Sequence, residues 1–272
     1  MKKGPYKILS NTDIQASSVC AFWNEDARSL SMVVKALRKA IGGMPFCKLD
    51  PVGFFPLDNV HVRDDVAHIP ESVFYAGSGE VVLFESQPPQ YEWYRFLTTV
   101  LDVAEERCKV QELYTVGRMV SVSAHTTPRE IFGIFTSQDI KKKLDVFGVS
   151  KDVDYQQDSD QRPTLSSFLI WAAQQRSIPG VNLWVTIPFY LANVGDPRAE
   201  KSLLQFFQRR FKLEIDYGEV DIEIREQNRR LQDLRERSPS VNESIQRLET
   251  NLILTDEETY QLAGEVEEAL SS

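Results

Sequence analysis

Few side chains of the kinds that perform catalysis occur in this chain of 272 residues, and their spacing is wide. Three histidines are present, His61, His68 and His125, none at helical or paired-cysteine spacing from another ligand type. A metal centre needs converging donors, so no metal is expected. His125 sits in the polar run Ser123-Ala124-His125-Thr126-Thr127-Pro128, behind a strand-like segment, where open parallel sheets hold their ligand-binding loops. It reads three ways: a general base, a contact to a ligand or partner, or a structural hydrogen-bonding group. A base would need a carboxylate beside it, with Glu85 and Asp139 as the candidates.

Glu85 ends the apolar run from Val81 and either orients a ligand or stabilises the turn Glu85-Ser86-Gln87-Pro88 and the helix after it. The candidate ligand or partner loops are therefore Glu85, Gln87 and Pro88 on one side and His125, Thr126, Thr127 and Pro128 on the other. Nucleophiles are less well supported. There is no G-x-S-x-G elbow, Cys20 and Cys47 lie in apolar runs, and Cys108 closes a helical pattern. Gly77-Ser78-Gly79 lacks the third glycine and helix start of a dinucleotide loop and reads as a hairpin turn, and no P-loop lysine exists. No catalytic residue and no cofactor are assigned.

The elements that must position these residues follow from periodicity. Val81–Phe84 is strand-like, and Trp93, Phe96, Leu97, Val100, Leu101 and Ala104 form one helical face, with Glu92, Arg95, Asp102, Glu105 and Glu106 opposite. Leu113–Val116, Met119–Val122 and Ile131–Phe135 return to strand composition. Upstream, Val19–Trp23, a helix through Leu30, Val33, Val34, Leu37 and Ile41 that stops at Gly42, and Phe46–Leu49 read as β-α-β, with Asn24 and Asp26 as capping candidates. Short strands or an extended excursion are expected between Pro51 and Gly79, a region that carries Asp58, Asp64 and Asp65.

Downstream, a polar, acidic stretch over Lys151–Arg162 precedes a helix marked by Leu165, Phe168, Leu169 and Ala172. A strand over Val181–Ile187 follows, then a helix opened by Asp196-Pro197. Strands alternating with helices predict a mostly parallel sheet covered on both faces. From Glu214 onward charge-rich helix takes over, broken at Ser238-Pro239, with Ser240 and Glu243 in capping-box spacing. Residues 1–213 are thus read as the α/β core and 214–272 as a helical hairpin, folded on its own domain or contacting another subunit.

With 42% hydrophobic and 26% charged residues, the composition is that of a folded globular protein. A net charge of −9 opposes nucleic acid and anionic membrane surfaces, so neither is expected as a partner, and Lys141-Lys142-Lys143 reads as a solvated helix face. No apolar run reaches the roughly 18 to 20 residues of a membrane span, nor does one follow the first lysines as a signal would. Three widely spaced cysteines suit a reducing compartment, and the expected location is the cytoplasm.

Val81–Phe135 resembles the proteasome assembly chaperone 2 family. The likeness rests on an apolar strand, a turn with Glu and Pro, a Trp93-x-x-Phe96 helix, and a His125-to-Pro128 loop similar to the family's Pro-His-Thr-Arg-Pro. It continues through Ile178-Pro179-Gly180, Val185–Tyr190 and Leu203-Leu204, reaches back to Trp23-Asn24-Glu25-Asp26-Ala27, and spans most of residues 19–220. The departures are Glu85-Ser86-Gln87-Pro88 for the family's Gly-Glu-Pro turn and Thr127 for its arginine. In place of a Tyr-x-Gly-Pro segment there is at most Tyr155 followed later by Arg162-Pro163-Thr164. The final Glu268-Ala269-Leu270-Ser271-Ser272 differs from the hydrophobic-Tyr-any tripeptide with which relatives touch proteasome rings, so docking by that route is not expected. The resemblance implies a three-layer α/β/α fold like that of nucleoside phosphorylases and related hydrolases, usually oligomeric, with no activity established for the class. The function expected is non-enzymatic: an oligomeric protein-binding or assembly-chaperone-like protein, forming a homo-oligomer and taking a protein partner. The alternative is a nucleoside-like small-molecule binder or hydrolase/phosphorylase-like enzyme built on Glu85 and His125.

Overall fold

The computed structural model describes residues 5–10, 14, 16–24, 30–56, 61–63, 65–150 and 164–271. Asp26, Asp58, Asp64, Tyr155 and Arg162, and with them the acidic stretch before α4, lie outside the described residues. The strands are β1 (Tyr6–Ile8), β2 (Ser18–Trp23), β3 (Met44–Leu49), β4 (His61–Arg63), β5 (Val66–His68), β6 (Ser72–Ala76), β7 (Val81–Ser86), β8 (Glu112–Ser121), β9 (Ile131–Phe135) and β10 (Gly180–Pro188). The helices are α1 (Ser31–Ile41), α2 (Trp93–Cys108), α3 (Gln138–Leu144), α4 (Leu165–Gln175), α5 (Pro197–Phe211), α6 (Gly218–Arg237), α7 (Pro239–Glu249) and α8 (Asp256–Ser271).

Eight strands form one sheet in the order β1-β3-β6-β7-β2-β8-β10-β9. It is mixed: β7, β2, β8 and β10 run parallel at the centre, and the outer pairings are antiparallel. Every residue of β2 is buried, as a central parallel strand covered on both faces requires. Cys20 and Phe22 face the cluster built by α1 and α5, whereas Val19, Ala21 and Trp23 face the one built by α2 and α4. The β-α-β reading of Val19–Leu49 agrees with the structure: β2, α1 and β3 follow one another, and the two strands run parallel in one sheet, although β7 and β6 lie between them. The β6–β7 hairpin, formed at the expected Gly77–Gly79 turn, inserts between them.

That turn is locked against α1. A Cβ on Gly77 would lie 1.9 Å from the Ile41 carbonyl oxygen, so only glycine fits. The segments read as two strands around Gly117 are one strand, β8. A Cβ on Gly117 would come within 3.3 Å of Trp184 Cδ1, and the missing side chain makes room for that indole.

Two expectations about helix ends are corrected. Helix α7 is capped by Ser238, whose Oγ accepts from Val241 N–H at 3.4 Å, with Pro239 at the first helical position. Proline's fixed φ starts the helix there, and Ser240 with Glu243 falls inside the first turn. Asn24 does not cap α1; its amide donates to Glu85. The C-terminal region holds three helices instead of a hairpin, because α8 buries only Leu262 and Val266 and shows too narrow a stripe to be read from spacing.

Those helices are not a separate core. Leu231, Val241, Ile245, Leu248, Leu262 and Val266 pack with Ala124, Tyr190 and Leu191, residues of the loops at the end of the sheet. Helices α6 to α8 therefore cover the side of the sheet from which β8 and β10 emerge.

Replacing Gly77 by Ala should lower the unfolding free energy by about 3 kcal/mol, since the collision is with backbone that cannot yield. Urea denaturation would measure it, and a loss below about 0.5 kcal/mol would contradict the packing described.

Candidate functional site

The loop from Val122 to Glu130 is organised by Arg129. Its side chain and that of Asp196 are each 1% exposed, and Arg129 Nε donates to Asp196 Oδ2 at 2.6 Å. The same guanidinium donates to the carbonyls of His125 (3.2 Å) and Thr127, so the loop wraps around it. Asp196 Oδ1 meanwhile accepts from the N–H groups of Arg198 (3.0 Å) and Ala199 (3.3 Å), capping α5. One carboxylate thus holds a loop with one oxygen and a helix with the other.

His125 is 6% exposed. Its N–H donates to Tyr190 Oη at 2.6 Å, and its Nδ1 lies 3.0 Å from the same oxygen. Burial pushes the Tyr190 phenol well up, so it keeps its proton, and its oxygen accepts from the His125 N–H while lying against Nδ1. Burial, reinforced by the cations of Arg235, Arg129 and Arg198 and opposed by Glu249, lowers His125 to about 4. The imidazole is neutral near pH 7, with its Nδ1 engaged. Both hydrogen bonds tie this histidine to Tyr190, the residue that follows β10.

The other candidate residues find separate partners. Thr126 Oγ1 donates to Glu249 on α7 at 3.3 Å, Thr127 N–H closes a turn on the Ala124 carbonyl at 3.1 Å, and Pro128 is exposed. Glu85 accepts from Asn24 Nδ2 at 2.9 Å and lies 3.8 Å from Arg38 Nη1. The Gln87 carbonyl accepts from Ser86 Oγ at 2.7 Å, and Pro88 is half-buried beside it. The structure brings His125 and Thr126 to the C-terminal helices and ties Glu85 to Asn24 and Arg38. Sequence reasoning missed Arg129, Tyr190 and the second use of Asp196. The available signal was an arginine directly after Pro128, two places beyond the position where the family pattern carries one.

A second long-range cap lies nearby. Glu200 on α5, 5% exposed, accepts from the N–H groups of Met32 (2.9 Å) and Val33 (3.1 Å) at the start of α1. Burial raises its carboxyl to about 7. Among the described residues no group of three His, Cys, Asp or Glu side chains could hold a metal ion, and no helix is long and apolar enough to cross a membrane. Lys143, from the basic run, pairs with Glu112, as does Arg210.

Comparison with known proteins adds the following. The model of the PAC2 family matches residues 28–235. None of the curated proteins compared with the chain matches it. A Mycobacterium tuberculosis protein of unknown function is similar in structure with a TM-score of 0.71 and 18% identity, over 98% of this chain and 95% of that one. The Pyrococcus furiosus archaeal proteasome activator PbaB is similar with a TM-score of 0.69 and 18% identity, over 86% of this chain and 100% of that one. A Streptomyces avermitilis PAC2 family protein is similar with a TM-score of 0.62 and 21% identity, over 76% and 91%.

Arg129→Ala would leave Asp196 buried without its cation and should cost about 3–5 kcal/mol in denaturant unfolding; a cost under about 1 kcal/mol would mean the pair is not the anchor of the loop. The two shifted groups also predict opposite pH slopes. The His125 contribution is present above pH 6.5 and lost as pH falls towards about 4, reaching roughly 3 kcal/mol relative to His125→Gln at the acid limit. The Glu200 contribution is present below pH 4.5 and lost as pH rises through about 7, so wild type should weaken relative to Glu200→Gln over that window.

Proposed function

Because this chain belongs to the PAC2 family, we propose that it is a non-enzymatic, oligomeric protein-binding protein of the assembly-chaperone kind, acting in the cytoplasm. The core reads as a three-layer α/β/α arrangement of the phosphorylase/hydrolase-like type, residues 1–213, with residues 214–272 as its helical cover. Relatives of similar fold include PbaB, described as an archaeal proteasome activator, and PbaA, described as an archaeal homolog of proteasome-assembly chaperone. The strand-end loops support a non-catalytic reading, since His125 is neutral and hydrogen-bonded and Glu85 is engaged elsewhere.

The observation that carries the reading is an aromatic surface on α2 and α4. Tyr94 is 60% exposed and Trp171 is 45% exposed. Phe168 and Trp171 stack with centroids 5.3 Å apart and planes 8° from parallel, and Tyr94 lies 6.4 Å and 6.5 Å from the two rings. Solvent-facing rings already ordered against one another lose little entropy on contact, which suits an interface core. Arg176, directly after α4, binds Asp102 and Glu105 of α2, each at 2.7 Å. Both signs of charge beside one apolar centre let the face meet itself across a twofold axis, and its occupant is a second copy of the chain.

Light scattering on the full chain should give a stable oligomer that Tyr94→Glu with Trp171→Glu breaks into smaller species while circular dichroism is unchanged. A wild-type monomer at every concentration, or a double variant of unaltered size, would contradict the proposal.

A further inference from the structure

Helices α1, α5 and α6 meet around a cavity of about 440 Å³, at the end of the sheet where the chain passes from β2 towards α1 and from β10 towards α5. That volume lies within the range of small-molecule sites. Bonds between the elements hold its walls in place. Gln227 Nε2 on α6 donates to the Gly195 carbonyl at 2.9 Å, Lys35 on α1 pairs with Glu219 on α6 at 2.5 Å, and Arg230 Nη1 donates to the Leu270 carbonyl of α8 at 3.3 Å. Walls fixed in advance lose little entropy when a ligand arrives.

The charge around the cavity is mostly negative. Glu219, Glu223, Glu226 and Arg230 follow one another at i, i+4, i+7 and i+11 on α6 and so share the face that lines it. Glu219 is paired with Lys35, Glu226 with Arg229 and Arg230, and Asp196 on α5 with Arg129. Glu223 has no ion pair among the described residues, so its charge is left over.

The independent sign is buried and comes from α5. Glu200 lines the cavity and is 5% exposed, and the N–H groups of Met32 and Val33 both bind its Oε2. Its Oε1 has no hydrogen-bond partner among the described residues. A carboxylate taken out of water with one oxygen unmatched is costly to hold, and a cation at that oxygen offsets the cost.

The lining also says which cation. The two unmatched carboxylates stand on different helices, and no group of three metal-binding side chains converges among the described residues, so a compact metal ion is a poor fit. Met32, Val194 and Leu270 add apolar surface to the same walls. Apolar surface with two separate carboxylates matches a methylene chain that carries a charge at each end.

We propose that this cavity binds a linear aliphatic diammonium ion, with one ammonium on Glu200 Oε1, the methylene chain against Met32, Val194 and Leu270, and the second ammonium on Glu223. The proposal does not rest on self-association through α2 and α4.

Isothermal titration calorimetry on the full chain at low salt tests it with 1,5-diaminopentane, beside 1-aminopentane, 1,5-pentanediol and magnesium chloride. The diamine should bind at least about tenfold more tightly than the monoamine, the diol should not bind, and magnesium should not displace the diamine. Exposed Glu223→Gln should weaken the diamine about tenfold. Glu200→Gln, which keeps an oxygen for the Met32 and Val33 N–H groups, should do the same at pH 8. The pH profile separates a binding role for Glu200 from a structural one. Burial raises its carboxyl to about 7, among Asp196, Arg118, Arg230 and the glutamates of α6, and the ammonium requires it ionised. Wild-type affinity should therefore rise about tenfold from pH 6 to pH 8, and the rise should vanish in Glu200→Gln. No binding at millimolar diamine, equal affinity for diamine and monoamine, displacement by magnesium, or an unchanged affinity in either variant would each overturn the proposal.

Discussion

A guanidinium and a carboxylate with 1% of their side chains exposed are costly to remove from water, and the Arg129–Asp196 pair is retained in full contact. What offsets the cost is the number of bonds made around it. Arg129 binds two loop carbonyls as well as Asp196, and Asp196 caps α5 in addition. Loss of either partner would release the loop after β8 and the start of α5 together. Because His125 is in that loop and binds Tyr190 after β10, three connections at the end of the sheet depend on a single ion pair.

From this follows the placement of the C-terminal helices. Ala124, Tyr190 and Leu191 present an apolar platform only while the loop and the turn after β10 are held in register, and α6, α7 and α8 bury their stripes on it. The end of the sheet at which open α/β proteins keep catalytic groups is here partly closed by the chain itself. His125 lies beneath this cover, hydrogen-bonded to Tyr190.

The long periodic elements were legible in the sequence. The stripe from Trp93 to Ala104, the caps at Gly42 and Asp196, and the strands ending at Trp23 and Phe135 agree with the structure, because each depends on local spacing and local chemistry. Long-range choices were not. Nothing between Val19 and Leu49 reveals that β7 and β6 insert between β2 and β3, and α8 buries too few residues to declare itself. The contacts of the His125 loop and of the helix starts beside it depend on Arg129, Tyr190 and Glu200, whose partners are distant in the chain and invisible to spacing. Ser240 misled because its capping-box pattern competes with the Ser238-Pro239 pair two residues upstream, where a serine cap and a proline of fixed φ already start the helix.

The central claim is that the His125 loop is part of the folded core and not a mobile site loop. Native-state hydrogen exchange at the His125 amide, which donates to Tyr190 Oη at 2.6 Å, tests it most directly. The account predicts that this amide exchanges only through global unfolding, with the same free energy and denaturant dependence as the amide of Leu183 in β10. Exchange through a local opening, independent of denaturant and far faster than Leu183, would contradict it.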